Sequence, residues 1–427
     1  MMIVFLVVFI DLLGFGIVLP VLSVIADSYV NRVLPANSGV LTGLIIGLLM
    51  SSFSLMQFLF APVWGRLSDR VGRRPVLLVG LFGSVVFYAL FGYAASLAPE
   101  SHAALALILF FAARTGAGIS GATIATAQAV IADSTTPEKR KHGMMLIGMA
   151  FGIGFTFGPL IGYGCFWIRD YYPSIGMESI GYSAAALSLL AMLLGVGLLP
   201  ETRVLTAPSS ARHQLIDWSA IRQALTDPAI QPIILTFFIA SLGFGAFEVT
   251  LALFLKDVFQ FGSGDNFQDT FLIFAYIGLV LMLTQGFCRG LASRVSELRF
   301  MAMGLFFMAL GVSMQGGICY AWSRGAESTS LQPHLYVALT AAVVGFAFLT
   351  PSAQALISRR TSADRQGEIL GVNQSASALA RILGPVFGVT LYKATDTHLL
   401  PYIAGAVLLV CMLPVLPKIG QSEPTSK

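Results

Sequence analysis

Long apolar runs alternate with short polar joints along the whole chain. The runs cover residues 3–26, 40–63, 75–97, 102–131, 143–166, 179–199, 229–255, 270–288, 299–321, 334–357, 368–392 and 397–417. Each holds the ~20 helical residues needed to cross a ~30 Å hydrocarbon core. None shows the two-residue alternation of membrane barrel strands, and a helix satisfies its own backbone in lipid. The pattern therefore predicts an all-α integral membrane protein with twelve transmembrane helices. The first run has no basic stretch ahead of it and continues past Asp11 into Gly14, Gly16 and Pro20, so it reads as an uncleaved first helix rather than a signal peptide.

Composition agrees. Of 427 residues 56% are hydrophobic and only 11% charged, against ~25% charged in soluble domains. Where the charges lie matters more than their sum. Of the 25 Lys and Arg residues, eighteen fall in the segments that share a side with both termini, five fall opposite, and two lie inside runs. The positive-inside bias then places both termini in the cytoplasm. The four cysteines lie within or at the ends of runs and leave the redox compartment open.

The runs come in two sets. Residues 9–16 (FIDLLGFG) return at 238–245 (FIASLGFG), 127–131 (AQAVI) at 353–357 (AQALI), and Gly158-Pro159-x-x-Gly162 as Gly384-Pro385-x-x-Gly388. Leu67–Val71 returns, weakened, as Leu291–Val295; the offsets are 229, 226, 226 and 224, in the same order in both halves. This predicts two pseudo-symmetric six-helix bundles, 1–199 and 229–417, joined by a polar cytoplasmic linker at 200–228 and followed by a cytoplasmic tail at 418–427. Duplicated bundles with a midplane site are a transporter architecture, worked by rocking one bundle against the other.

Four charged residues lie inside runs: Asp11, Arg114, Glu248 and Arg381. Each costs ~2.5–3.5 kcal/mol at a helix centre even on the lenient insertion scale, so each calls for a partner, water or protonation. Asp11 lies roughly 13 Å into the first helix at 1.5 Å per residue. It is the expected proton carrier, with Arg114 as its electrostatic partner; a fixed Asp11–Arg114 salt bridge is the plainer alternative. Glu248 is a second proton site, a cation-binding group or a wetted mouth residue. Arg381 either contacts substrate or bonds backbone carbonyls where the halves meet. Gly154, Gly158 and Gly162, four residues apart and interrupted by Pro159, predict close packing between the halves or a bend sealing a leak path.

The loop Gly65-Arg66-Leu67-Ser68-Asp69-Arg70-Val71-Gly72-Arg73-Arg74 fits the pattern G-x-L-x-D-R-x-G-R-R at every fixed position. With it, the chain resembles the major facilitator superfamily over essentially its whole length, most closely the tetracycline and multidrug proton-antiporter branch. Arg114-x-x-x-Gly118 resembles that family's arginine motif, with Ala117 where glutamine is frequent. Gly154-x-x-x-Gly158-Pro159-x-x-Gly162 resembles its antiporter motif, with Tyr163 in place of the last glycine, and Asp11–Pro20 resembles the exporters' first helix. The resemblance implies a cytoplasmic latch in which Asp69 faces the start of the eleventh helix and Arg73 pairs with an acid after the fourth, here Asp133, with Gly65, Arg70, Gly72 and Arg74 completing the loop. It also implies that the helices carrying Gln128 and Gln354 line the cavity. Gln57, Asn373 and Gln374 are further polar candidates for substrate, and any of these amides could instead bond a neighbouring helix.

Gly116-Ala117-Gly118-Ile119-Ser120-Gly121 fits a dinucleotide fingerprint, but it sits in a membrane helix with no strand before it. With no P-loop, no Cys/His cluster and no nucleophile–base pair, the expectation is a transporter and not an enzyme. It uses no cofactor, nucleotide, metal or nucleic acid and is driven by a proton gradient. The expected partners are a small-molecule substrate and the lipid bilayer, in a monomer of a bacterial inner membrane or plasma membrane. The reading is export of an amphipathic, drug-like molecule against protons by alternating access. The alternative is a symporter or facilitator for a small metabolite or organic anion held by Arg114 or Arg381. A scaffold that keeps the fold without transport is the third class.

Overall fold

A computed structural model describes residues 2–35, 37–133, 137–172, 175–202, 222, 224–262, 267–291, 295–361 and 366–421. Among these, every regular element is a helix. They are α1 (Met2–Val33), α2 (Gly39–Val71), α3 (Arg73–Ser96), α4 (Pro99–Gly121), α5 (Ile124–Asp133), α6 (Pro137–Tyr171) and α7 (Glu178–Leu198), then α8 (Gln231–Phe259), α9 (Phe267–Leu291), α10 (Glu297–Ser323), α11 (Ser328–Arg360), α12 (Gln366–Lys393), α13 (Leu400–Met412) and α14 (Leu416–Gln421). Among the described residues, ten stretches are long and apolar enough to cross a membrane. The 35-residue α6 and the α13–α14 run occupy the other two predicted places.

Two predicted helices are broken. The run 102–131 divides into α4 and α5 at Ala122-Thr123, just after Gly116, Gly118 and Gly121. Backbone carbonyls freed by such a break need other donors in an apolar setting. Here α2 supplies them: Trp64 Nε1 donates to the Ile119 carbonyl at 2.7 Å and Gln57 Nε2 to that of Gly121 at 3.2 Å. The run 397–417 turns through a 3₁₀ segment at Leu413–Val415, where Pro414 cannot donate to a helical ladder.

Two compact units are formed. One comprises Met1–Ser38, Leu48–His213 and Gln260–Leu279; the other Gly39–Gly47, Gln214–Phe259 and Val280–Lys427. The predicted division at 199 and 229 follows the internal repeat, and the packing departs from it at two helix starts. Glycines explain why. Gly43 and Gly47 of α2 press on the backbone of α12; a Cβ on Gly43 would lie 2.6 Å from the Val389 carbonyl oxygen, and one on Gly47 2.7 Å from Val386 Cα. Likewise a Cβ on Gly278 of α9 would lie 2.7 Å from the Phe155 carbonyl oxygen of α6. Only residues without side chains allow backbones this close. Most of the predicted linker, 203–221 and 223, lies outside the described residues, as does the tail beyond 421.

In the first unit α1 packs on α6, α7 and α4, while α3 packs on α7 and α4. In the second, α8 packs on α12, and α10 packs on α11 and α13. The repeat found in sequence holds here in space. Gly16 of α1 meets Gly158 of α6, where a Cβ would sit 2.7 Å from the Gly16 Cα. Their counterparts Gly245 and Gly384 meet on α8 and α12, with Gly388 a turn further against Ala246. Gly154 and Gly158 therefore pack on the first helix of their own unit. This corrects the expectation that they join the two halves; Gly162, which meets Phe271 of α9, is the member of that motif that reaches beyond its own half of the sequence. Pro159 and Pro385 lie inside α6 and α12 at these contacts. Gly158→Val is expected to cost most of the folded yield in detergent extraction, whereas Gly164→Ala, which meets nothing within 4 Å, leaves elution on size-exclusion chromatography unchanged.

Candidate functional site

Asp11 is carried by α1. Its Oδ1 accepts a hydrogen bond from Ser188 Oγ of α7 at 3.1 Å, and Ser84 of α3 is its second hydroxyl neighbour. Both serines are buried. Asp11 thus faces α3 and α7, within its own unit. Arg114, on α4, is 4% exposed. Its guanidinium lies 4.7 Å above the Phe53 ring and 5.9 Å from that of Phe15, and one Nη–H makes a long 3.5 Å bond to the Met50 carbonyl. Among the described residues no ion pair joins Asp11 and Arg114, so the fixed salt bridge, the plainer alternative, is corrected. Tyr88, one turn along α3 from Ser84, interacts electrostatically with both of them. A guanidinium keeps its proton, so Asp11 acts on Arg114 through its charge and not by handing it a proton. The guanidinium rests on aromatic faces, which attract a cation without neutralising it. Phe155 meets Phe15 edge-on at 5.8 Å and completes an apolar wall of three rings from three helices.

In the second unit Glu248 on α8 and Arg381 on α12 lie within each other's electrostatic reach without closing to an ion pair. Nearby on α8, Phe244 stacks face to face on Phe346 of α11 at 3.9 Å. The amide candidates part company. Gln128, Gln354 and Gln374 are exposed, as is Arg381. Asn373 is fully buried, with neither amide atom hydrogen-bonded. Gln57 is spent on the α4 break described above, which favours its structural reading.

Within the first unit the charged loop holds the Arg73–Asp133 pair that the motif implies. Arg73 begins α3 and is buried, yet it reaches Asp69 Oδ1 at 2.8 Å, Asp133 Oδ2 at 3.1 Å and Ser68 Oγ at 2.6 Å. A guanidinium can serve three acceptors at once because its five N–H groups form a fixed fork. Gly72 takes φ +103°, which frees the turn between α2 and α3. Glu201, just beyond α7, accepts from the backbone N–H groups of Arg73 at 2.9 Å and Arg74 at 3.1 Å. A carboxylate there meets the positive end of the α3 dipole and the unpaired donors of its first turn. Arg74 donates to the Val196 carbonyl at 2.6 Å, while Arg70 is exposed and Gly65 has open space around it. The segment expected to face Asp69, just before Ile369, lies outside the described side chains.

The second unit repeats this arrangement with the charges exchanged. Glu297 at the start of α10 pairs with Arg359 at the end of α11 at 3.0 Å. By the offsets of 224 and 226 these positions answer to Arg73 and Asp133. Sequence reasoning missed Ser84, Tyr88, Ser188, Glu201 and this exchanged pair. Ser84 and Ser188 had a faint signal as hydroxyls inside apolar runs; Glu201 had none.

A family model described as Major Facilitator Superfamily matches residues 4–322 and 314–427. The chain belongs to the major facilitator superfamily. Members of this superfamily are transporters rather than enzymes, and the chain is a multi-pass membrane protein. It is similar to the class E tetracycline resistance protein of Escherichia coli, 30% identical over 394 residues that cover 91% of this chain and 87% of that protein. The class C protein of Escherichia coli is 30% identical over 419 residues, covering 97% and 96%. The crystal structure of the human organic anion transporter MFSD10 shares 25% identity, covers 97% of this chain and 98% of its own, and superposes with a TM-score of 0.62. A D-xylose-proton symporter structure, 15% identical with a TM-score of 0.76 over 98% of each chain, shows the shared superfamily fold alone.

Proposed function

We propose that this superfamily member exports an amphipathic, drug-like small molecule in exchange for protons, by alternating access, with both termini in the cytoplasm of a bacterial inner membrane or plasma membrane. The observation that carries the reading is the Asp11 carboxyl group, held by buried serines inside a membrane helix, with Arg114 buried on aromatic faces and no carboxylate at ion-pair distance from it among the described residues. Protonation of Asp11 removes a charge that is costly within lipid. It also changes the field at Arg114, beside the Phe15, Phe53 and Phe155 wall where an apolar substrate would rest. Arg73 with Asp69 and Asp133 forms the cytoplasmic latch, and Glu248 with Arg381 contributes a second charged pair. The likeness to tetracycline resistance proteins supports export of a drug-like molecule. The proton gradient supplies the energy, the protein works as a monomer, and no cofactor takes part.

One observation favours a second reading. Arg114 has no carboxylate within ion-pair distance among the described residues, a setting that suits an anionic group on the substrate. The likeness to MFSD10, an organic anion transporter by name, points the same way. Proteoliposomes loaded with substrate and given a pH gradient separate the two. Proton-coupled export moves substrate against the proton flow and reverses when the gradient is reversed; a facilitator's flux ignores both.

A further inference from the structure

The break between α4 and α5 is held by side chains from other helices. Its own turn closes weakly. Ala122 N–H reaches the Ile119 carbonyl at 3.3 Å and Thr123 N–H that of Ser120 at 3.4 Å, a 3₁₀ pattern. Both bonds are longer than the usual N–H···O range. Other donors reach the same carbonyls: Trp64 Nε1 to Ile119 at 2.7 Å, Thr123 Oγ1 to Ser120 at 3.0 Å, and Gln57 Nε2 to Gly121 at 3.2 Å. Gln57 and Trp64 lie seven residues apart on one face of α2. Phe53, one turn before Gln57, carries the Arg114 guanidinium at 4.7 Å. From the other side α3 leaves room for the turn. A Cβ on Gly80 would sit 2.6 Å from Thr123 Cγ2, and one on Gly83 would strike Ser120 Oγ.

The second unit carries the same helices without these donors. By the offsets of 224 and 226, Gln57, Trp64, Gly83 and Ala122 answer to Leu281, Cys288, Phe307 and Phe348. Leucine has no donor, and a thiol is a weak one. Cys288 and Phe348 share an apolar cluster, with Phe307 packed against it. Phe307 meets Phe348 edge-on at 6.4 Å, so an aromatic ring fills the space that Gly83 leaves open in the first unit. There α11 runs unbroken from Ser328 to Arg360, even with Pro351 inside it. Donors, open glycine and break occur together in one unit and are replaced together in the other. That pairing ties the break to α2 rather than to the helix's own composition.

We propose that the α4–α5 break is a two-state hinge, and that Gln57 and Trp64 are the positioning residues that hold it broken. In a continuous helix the Ile119 and Gly121 carbonyls accept from the amides of Thr123 and Ala125. In the broken form they accept from Trp64 and Gln57. Gly116, Gly118 and Gly121 weaken the helical preference of this stretch, so an exchange of hydrogen-bond partners is enough to tip it. The hinge lies between Arg114 on α4 and Asp133 at the end of α5, which Arg73 holds. The Asp133 end can then turn while Arg114 stays on its aromatic faces. When the helix closes, the Gln57 amide stands free beside Phe53, the ring that carries Arg114. The state of the hinge is thereby felt at both charged sites of the first unit.

Hydrogen–deuterium exchange of the purified full-length protein in detergent, read by mass spectrometry on peptides covering 119–130 and 345–356, is the test. In the wild type, amides across 119–130 should exchange faster than those across 345–356. Trp64→Phe keeps a ring and removes the Nε1 donor. Gln57→Leu keeps the bulk and removes the amide. Each variant is expected to shift the segment toward the continuous helix, so exchange across 119–130 slows by about fivefold, the change that one neutral hydrogen bond supports. Peptides covering 345–356 should match the wild type. A merely structural role gives the opposite sign, because lost donors loosen the segment and speed its exchange. Unchanged or faster exchange across 119–130 in either folded variant overturns the proposal. Wild-type protection across 119–130 equal to that across 345–356 also overturns it. If one variant does not fold, the other decides. The measurement needs neither substrate nor a pH gradient, so a failed hinge leaves the export reading standing, and failed export leaves the hinge standing.

Discussion

Asp11→Asn is expected to abolish proton-driven accumulation while leaving downhill flux in place. One pH unit is worth ~1.4 kcal/mol per proton, so one-for-one exchange sustains roughly a tenfold substrate gradient. In proteoliposomes with that gradient imposed, the variant should reach a ratio of about one. Asparagine has nearly the same shape, and its carbonyl can still accept from Ser188, so the fold should survive. This separates loss of coupling from loss of protein. Tyr88→Phe sharpens the result: the ring stays against Gly14 and only the hydroxyl is lost. If coupling needs that hydroxyl, Tyr88→Phe shares the uncoupled phenotype. Unchanged pH-driven accumulation by Asp11→Asn would remove Asp11 from the mechanism.

Arg73→Ala should have the largest structural effect of any charged-residue substitution in the first unit. It strips a buried guanidinium from Asp69, Asp133 and Ser68 together. Breaking a buried pair by deleting one partner costs ~3–5 kcal/mol. Asp69 is 51% exposed and is largely solvated without its partner, so the lower end, about 3 kcal/mol, is the expectation. Arg73→Lys should recover little, since an ammonium lacks the planar fork needed to reach three acceptors. If the network also latches the transport cycle, turnover falls by about tenfold in the folded fraction, the effect of ~1.4 kcal/mol on one step. Thermal melts and initial transport rates on the same preparation distinguish the two losses. Glu297 and Arg359 serve as a comparison. Their geometry is similar, but Arg359 is 72% exposed, and an exposed pair contributes only ~0–1 kcal/mol.

Much of this molecule is written in one-dimensional pattern. Membrane helices are set by local hydropathy and length, so their places follow directly from the run lengths. The glycine pairs Gly16–Gly158 and Gly245–Gly384 were foreshadowed by two copies of one spacing, since duplicated segments reuse one packing contact. The Arg73 loop was legible because its residue types and spacing are unusual. What surrounds Asp11 was not legible. Ser84, Tyr88 and Ser188 come from helices that meet α1 only after folding, and serine or tyrosine in an apolar run carries no sign of which face it presents. Gln57 looked like a substrate ligand because the break at Ala122 that employs it could not be seen in hydropathy. Gly154 was assigned to the wrong partner for a related reason: spacing shows that a helix can be approached closely, and not by which helix.

Composition and periodicity along single segments are enough to read the membrane class, the duplicated helices and the four charged residues inside apolar runs. Only the packed helices show that Asp11 leans on Ser188 rather than Arg114 and that Glu201 closes the first turn of α3. Those facts depend on side chains brought together from distant segments, and only the packing of whole helices fixes which of them share a neighbourhood.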